Sequence, residues 1–274
     1  MKPAIFNNEM VRAILDDRKT NTRRPFTFKK CIRDYVKSMG QDYCLKHQNK
    51  LHGEYDWSIR ERSGVWADYT HQQFLDEYAP YKVGDIIYVR ETWAEVFEIE
   101  YIDFGVCERE IKNISDCISN FESISKIQVG MSNRCSPPNA EERMRYIVYK
   151  AENLEYTNKK YKLLWTPSIH MPKEYARLFL RVKDVRIERL NEINSADAKA
   201  EGIDEKNITD AEVAHYMGYT CDAYVGYYDH EYTISAFAKL WESIYGNGSF
   251  DNRYVWVIEF ERISKEEAMS GTAT

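Results

Sequence analysis

The run "ARLFLRVKDVRIERL", residues 176–190, constrains this chain more than any other stretch. Leu178, Leu180 and Val182 alternate with polar neighbours, and Val185, Ile187 and Leu190 continue the apolar series. An apolar residue at every second position marks a strand with one face in a core. The run therefore predicts one long strand or a pair of them. "NSADAKAEGI" follows and predicts a short helix, with Asn194 or Ser195 as its cap and Gly202 placed to end it.

The remaining elements are read in the same way. "PAIF" near the start reads as a short strand. Asn7 or Asn8 can cap a helix running to about Asp16, with Met10, Ile14 and Leu15 on one face. Pro25 turns Arg24 away from helical backbone, so "KTNTRR" should be irregular or extended. "IIYVRETW", after the turn signal Gly84-Asp85, and "RYIVYKA" read as strands. "TISAFAKLWESIYG" predicts a helix presenting Phe237, Leu240, Trp241 and Ile244 and closed by Gly246. "RYVWVIEFERI" is the last strand.

Strands outnumber long helices and crossovers are irregular, which favours a small mixed barrel or an α+β domain over a doubly wound sheet. Residues 26–80, 97–144 and 204–232 read as insertions, the first with some helix at "QQFLDEYA", and the tail from 264 should be disordered.

Charge narrows the partners. The chain carries a formal −6, yet residues 1–38 hold ten Lys or Arg against four acids. An acidic body with a local basic patch suits one phosphate or nucleotide better than a long duplex. A solvated basic face without a ligand is the plain alternative. Within "DRKTNTRRP", residues 17–25, Arg18, Lys19, Arg23 and Arg24 surround Thr20 and Thr22, and Arg18, Arg23 and Arg24 are the candidate contacts for a phosphate. No apolar run is long enough to span a bilayer and no secretory leader is evident, so cytoplasm is the expected compartment and no membrane is a partner. The six cysteines are then expected as free thiols. Cys31, Cys44, His47 and His52 have a loose zinc-like spacing but lack the close pair that makes such spacings specific, and no metal is expected.

Four blocks in order, "AILDDRKTNTRR", "VGDIIYVRETW", "RVKDVRIERLNEINSADAKAEGI" and "VWVIEF", resemble the ASCH domain, a β-barrel domain of the PUA-like superfamily. "WTPSIHMP" resembles a motif of the longer ASCH proteins of phages and prophages. The resemblance covers about half the chain. It implies an α+β fold: a PUA-like small mixed β-barrel with flanking helices, in a single domain over residues 1–263 interrupted by the three insertions. It implies binding of a nucleoside, nucleotide or nucleic-acid base, RNA included, and needs no cofactor. If the chain is phage-encoded, the compartment becomes the host cytoplasm.

Some small ASCH proteins are amidohydrolases of N-acetylated cytidine. Their lysine and threonine of an "RKT-x-T" segment, and a glutamate on the helix after the long strand, match Lys19, Thr22 and Glu201. In such a site the lysine, depressed in pKa by burial and by Arg18, Arg23 and Arg24, takes the threonine proton, and the glutamate serves the leaving amine. The alternative is that Lys19 and Thr22 hold a phosphate or a water while Glu201 only pairs with Lys19.

Trp93 and Trp165 are candidates to stack on a base, or are core tryptophans. Glu91 could accept from an exocyclic amine, or join a surface ion pair. Ser168 and His170 lie in a proline-framed loop as candidate ligand contacts, or hold that loop together. The Tyr-rich stretch "HYMGYTCDAYVGYYDHEY" supports a third reading, a phage accessory protein that binds a host protein.

Overall fold

A computed structural model of the chain describes residues 1–26, 40–47, 55–61, 63–101, 127–128, 140–152, 165–204 and 229–270. Its strands are β1 (Lys2–Ile5), β2 (Asn21–Pro25), β3 (Leu45–His47), β4 (Trp57–Arg60), β5 (Trp66–Tyr69), β6 (Ile86–Arg90), β7 (Trp93–Tyr101), β8 (Ile127–Gln128), β9 (Ala140–Tyr149), β10 (Phe179–Arg189) and β11 (Tyr254–Ile263). Its helices are α1 (Asn8–Leu15), α2 (His71–Tyr78), α3 (Ser195–Ala200), α4 (Asp229–Tyr245) and α5 (Lys265–Ser270). The fold is mixed α+β with several sheets, and none of them closes into a barrel among the described residues. Two units are distinct: Met1–Leu15 with Ile87–Phe179 and Ser264–Thr274, and Asp16–Ile86 with Leu180–Ile263.

In the first unit β1 runs parallel to β6, Lys2 beside Ile87 and Ile5 beside Arg90. Asn7 Oδ1 accepts from the Met10 amide at 2.8 Å and starts α1, which buries Val11, Ala13 and Ile14. β7 pairs antiparallel with β9 from Trp93–Tyr149 outward, with a bulge between Ile99 and Tyr101, and β8 lies on the other side of β9. The two ends of the stretch expected as loop from 97 to 144, residues 97–101 and 140–144, thus belong to these strands. α5 occupies part of the tail expected to be disordered. Ser264 caps it by accepting from the Glu267 amide, while Glu267 accepts from the Ser264 amide.

In the second unit β10, β11 and β2 lie in that order. β10 is a single strand. The helix expected at Asn194 is α3: Asn194 Oδ1 accepts from the Asp197 amide at 2.8 Å, and Gly202 ends it with φ 94, a left-handed conformation that glycine adopts without steric cost. α3 and α4 cover Val255 and Val257 of β11 through Ala198, Phe237 and Trp241. The stripe of α4 differs from the expected one. Ile244 is exposed, and Ala238 takes its place in the core because the stripe follows Phe237, Ala238 and Trp241.

Residues 41–78, expected as an insertion, carry a three-stranded sheet, β3-β4-β5, and α2, which begins with a full Thr70–Gln73 capping box. Phe26, Trp57, Phe74, Tyr78 and Trp256 pack there ring on ring, with centroids 4.9–6.1 Å apart. Aromatic pairs at such separations add on the order of 1 kcal/mol each beyond area burial, so this stretch is a cored part of its unit.

Cys44 is buried and disulfide-bonded, against the free thiol expected; spacing in sequence does not reveal which thiols meet in space. Its partner lies outside the described residues, as do Cys31 and His52 of the zinc-like spacing. The Tyr-rich stretch also falls outside them up to 228, and its last residues open α4. Among the described residues no helix is long and apolar enough to cross a membrane.

Because the Asn194 side chain supplies the cap of a helix of only six residues, Asn194→Ala should cost about 1 kcal/mol, and Asn194→Asp much less, in urea unfolding.

Candidate functional site

Main-chain bonds bring "RKTNTRR" to the end of α3. The Thr20 amide donates to the Ala200 carbonyl at 2.8 Å, the Phe260 amide donates to the Thr20 carbonyl at 2.8 Å, and Lys19 bridges Glu201 antiparallel. Segments 182 residues apart are thereby locked side by side. The Lys19 ammonium donates to Glu201 Oε2 at 2.7 Å and to the Glu201 carbonyl at 2.8 Å. The lysine side chain is fully enclosed, and the glutamate side chain is 3% exposed.

Arg23 completes the group from β2. Its Nη1 donates to Glu201 Oε1 at 3.4 Å, and its Nη2 donates to both Glu188 and Asp197 at 3.0 Å. Arg186 ties the same two acids together from outside, donating from Nε to Glu188 at 2.6 Å and lying 3.8 Å from Asp197. Lys19, Arg23 and Arg186 thus face Glu201, Glu188 and Asp197. Buried charges persist only when paired in this way. Arg23 Nε is buried without a hydrogen bond, and its guanidinium lies 5.9 Å from the Phe237 ring.

Burial pushes the Lys19 pKa down. The Glu201 charge and hydrogen bond oppose that, and Arg24 and then Arg23 add to the depression. Desolvation is the largest cause of the depression, and Arg18 is not among the cations that add to it. Arg18 is half-buried, donating to the Gly202 carbonyl at 2.9 Å and to Asp16 at 3.0 Å. Arg24 is half-buried on β2.

Thr22 is buried but stands apart. It pairs with Ile258 of β11, whereas Arg23 pairs with Val257. Val257 belongs to the core under α4, so Thr22 points to the opposite face of the sheet from Arg23. Its hydroxyl makes no hydrogen bond to Lys19 or Glu201.

Glu91, Trp93, Trp165, Ser168 and His170 belong to the first unit. Glu91 is fully buried and accepts a two-pronged bond from Arg177, Nε at 2.9 Å and Nη2 at 3.0 Å. Arg177 also pairs with Glu152 and lies 4.0 Å above the Tyr149 ring. Burial pushes the Glu91 pKa up, with Arg177 working against it. Both Glu91 oxygens are engaged within the fold. Trp93 is buried edge-on to Tyr175 at 5.0 Å, and its backbone exchanges bonds with Thr166. Its indole N–H has no partner. Trp165 and Ser168 are half-buried and His170 is exposed.

Asp197, Glu188 and Arg177 are the residues that reading the sequence missed. For the first two a signal existed, since Arg186 and Glu188 share one face of an alternating strand and Asp197 sits in the first turn of a capped helix. Nothing in the sequence pairs Arg177 with Glu91. No family model matches the chain, and no curated protein and no solved structure matches it.

The depressed Lys19 pKa fixes the sign of a pH effect. Between its folded value and the ordinary 10.5, the unfolded chain binds a proton that the folded chain does not, so this group adds stability as pH rises through that window and adds none below it. Urea unfolding at stepped alkaline pH should show wild type gaining on Lys19→Met as pH approaches 10.5. A gap that is flat or moves the other way would refute the depression.

Proposed function

We propose that the chain is a pocket protein of the ASCH, PUA-like kind that takes up a nucleoside, nucleotide or nucleic-acid base at the Lys19–Glu201 edge. One observation carries this reading. The two residues that the resemblance assigns from opposite ends of the chain meet at 2.7 Å, enclosed and charge-paired. In this proposal β10, β11, β2 and α3 correspond to part of the PUA-like barrel. Each Glu201 oxygen retains a second lone pair, so the carboxylate can accept from a base's exocyclic amine while still holding Lys19. Arg23 does not serve a phosphate, because three carboxylates hold it. Arg18 takes that role. Its pairing with exposed Asp16 is of the kind worth little, so it can turn to a ligand at small cost.

The amidohydrolase reading has one observation in its favour, the depression of Lys19. A lysine that gives up its proton more readily can take one from a hydroxyl. In that reaction Thr22 Oγ1 attacks the acyl carbon as Lys19 receives its proton. Glu201 relays that proton from Lys19 to the amine as the acyl C–N bond breaks, and water, giving its proton to Lys19, then hydrolyses the Thr22 ester to release the acid. Thr22 must first come within hydrogen-bond reach of Lys19.

Calorimetric titration with cytidine nucleosides and their monophosphates should give binding that weakens at least tenfold in Glu201→Gln. Equal affinity in a folded Glu201→Gln protein would contradict the pocket. A mass-spectrometric screen of acylated cytidines, run with Lys19→Ala, separates the two readings. Turnover lost in the variant supports the hydrolase, and binding without turnover leaves the binding protein.

A further inference from the structure

The β3-β4-β5 sheet presents a second chemistry, which does not rest on the Lys19–Glu201 reading. Its register sets Leu45, Ile59 and Ala67 in one row and His47, Trp57 and Tyr69 in another, two residues along the strands. Both rows fall on the same face, and Leu45, Trp57 and Ile59 of that face are buried in the aromatic core. The other face carries Lys46, Ser58 and Asp68 in one row and Arg60 opposite Trp66 in the next.

On that outer face, cations and rings alternate. The Lys46 ammonium lies 4.7 Å from the Trp66 ring centroid. The Arg60 guanidinium lies 6.0 Å from the same ring and 4.3 Å from the ring of Tyr43. Arg60 Nε donates to the Gly64 carbonyl, which holds its stem across the β4-β5 turn. Neither Lys46 nor Arg60 has a carboxylate partner among the described residues. Among the described residues, Lys46 is met by a ring face and Arg60 by two ring faces and the Gly64 carbonyl. Lys46 is exposed, Trp66 and Tyr43 are half-buried, and Val65, beside Trp66 in the turn, is 63% exposed. Asp68 bounds the face on one side, where it accepts from the Ser58 hydroxyl.

We infer that this face binds single-stranded nucleic acid, with a base stacked on Trp66 and the flanking phosphates on Lys46 and Arg60. The chemistry follows from the arrangement. A base offers a flat π-face to an indole, and the flanking phosphates offer negative charge to two cations that have no carboxylate partner among the described residues. A flexible, exposed lysine vacates a ring readily, so a base can take its place while the ammonium moves to the phosphate. A duplex does not fit this role, because its bases are stacked on one another and their faces are closed.

The test is a fluorescence titration of the full chain with an oligothymidylate twelve-mer and with an abasic strand of equal length, at several salt concentrations. Saturable binding of the oligothymidylate is expected, with the abasic strand much weaker. Trp66→Ala should lose about tenfold or more in affinity, in keeping with stacking worth on the order of 1–3 kcal/mol per base. Lys46→Ala, a surface change that leaves the core intact, should lower the steepness of the salt dependence by about 0.7 for its one phosphate. Saturating cytidine monophosphate should leave binding of the oligothymidylate unchanged, which separates this face from the Lys19–Glu201 edge. Absence of binding, equal binding of the abasic strand, or an unchanged salt slope in Lys46→Ala would overturn the inference.

Discussion

A carboxylate shut away from water must be met by positive charge, and Glu201 is met twice. Lys19 holds one oxygen and Arg23 the other, and neither cation has access to solvent. Removing Glu201 takes away the carboxylate that Lys19 and Arg23 both meet, and breaking a buried pair in this way costs about 3–5 kcal/mol in proteins generally. The arrangement also sets geometry. The Lys19 ammonium is bound to both the carbonyl and the carboxylate of one residue, so the end of α3 and the start of β2 are held in register by side chain and main chain together. Asp197 and Glu188 complete the charge balance around Arg23 and free Glu201 from holding that guanidinium alone. A pocket built here inherits a fixed acceptor and a cation whose proton is loosened by burial.

Among the described residues, the buried ionic groups around Glu201 and Glu91 are built on different lines. Around Glu201, Lys19, Arg23 and Arg186 meet Glu201, Glu188 and Asp197, and Arg186 reaches Asp184 and Glu259 as well. Around Glu91, one guanidinium serves two carboxylates and also caps the Tyr149 ring. In the second group burial pushes the acid toward its neutral form, and in the first it pushes the lysine toward its neutral form. In both groups each carboxylate oxygen is engaged, those of Glu91 by Arg177 alone and those of Glu201 by Lys19 and Arg23.

Much of the framework was legible because its signals are local. The alternation of β10, the Asn194 cap, Gly202 and the closing β11 follow from period and capping chemistry alone. The pairing of Lys19 with Glu201 was legible only through the ASCH resemblance, because spacing cannot show that residues 182 apart touch. Arg23 was expected on a phosphate and is instead enclosed by Glu188, Asp197 and Glu201, since whether a cation points to solvent or to acids depends on tertiary packing. The stretch from 41 to 78 looked like insertion because its strands are three or four residues long, too short for a clear period. Its aromatic residues carried the signal of a core. Ile244 was placed on the buried stripe of α4 by periodicity, but the neighbours decide which side of a helix is covered, and they cover Ala238 instead.

The most direct measurement is amide hydrogen exchange, read by mass spectrometry, with and without a saturating cytidine nucleotide. A ligand seated at the Lys19–Glu201 edge must slow exchange at residues 18–24 and 198–203, which flank the Glu201 carboxylate on both strands of the chain. Protection confined to those two segments is the predicted result. Binding that leaves both segments unchanged would contradict a pocket at Glu201.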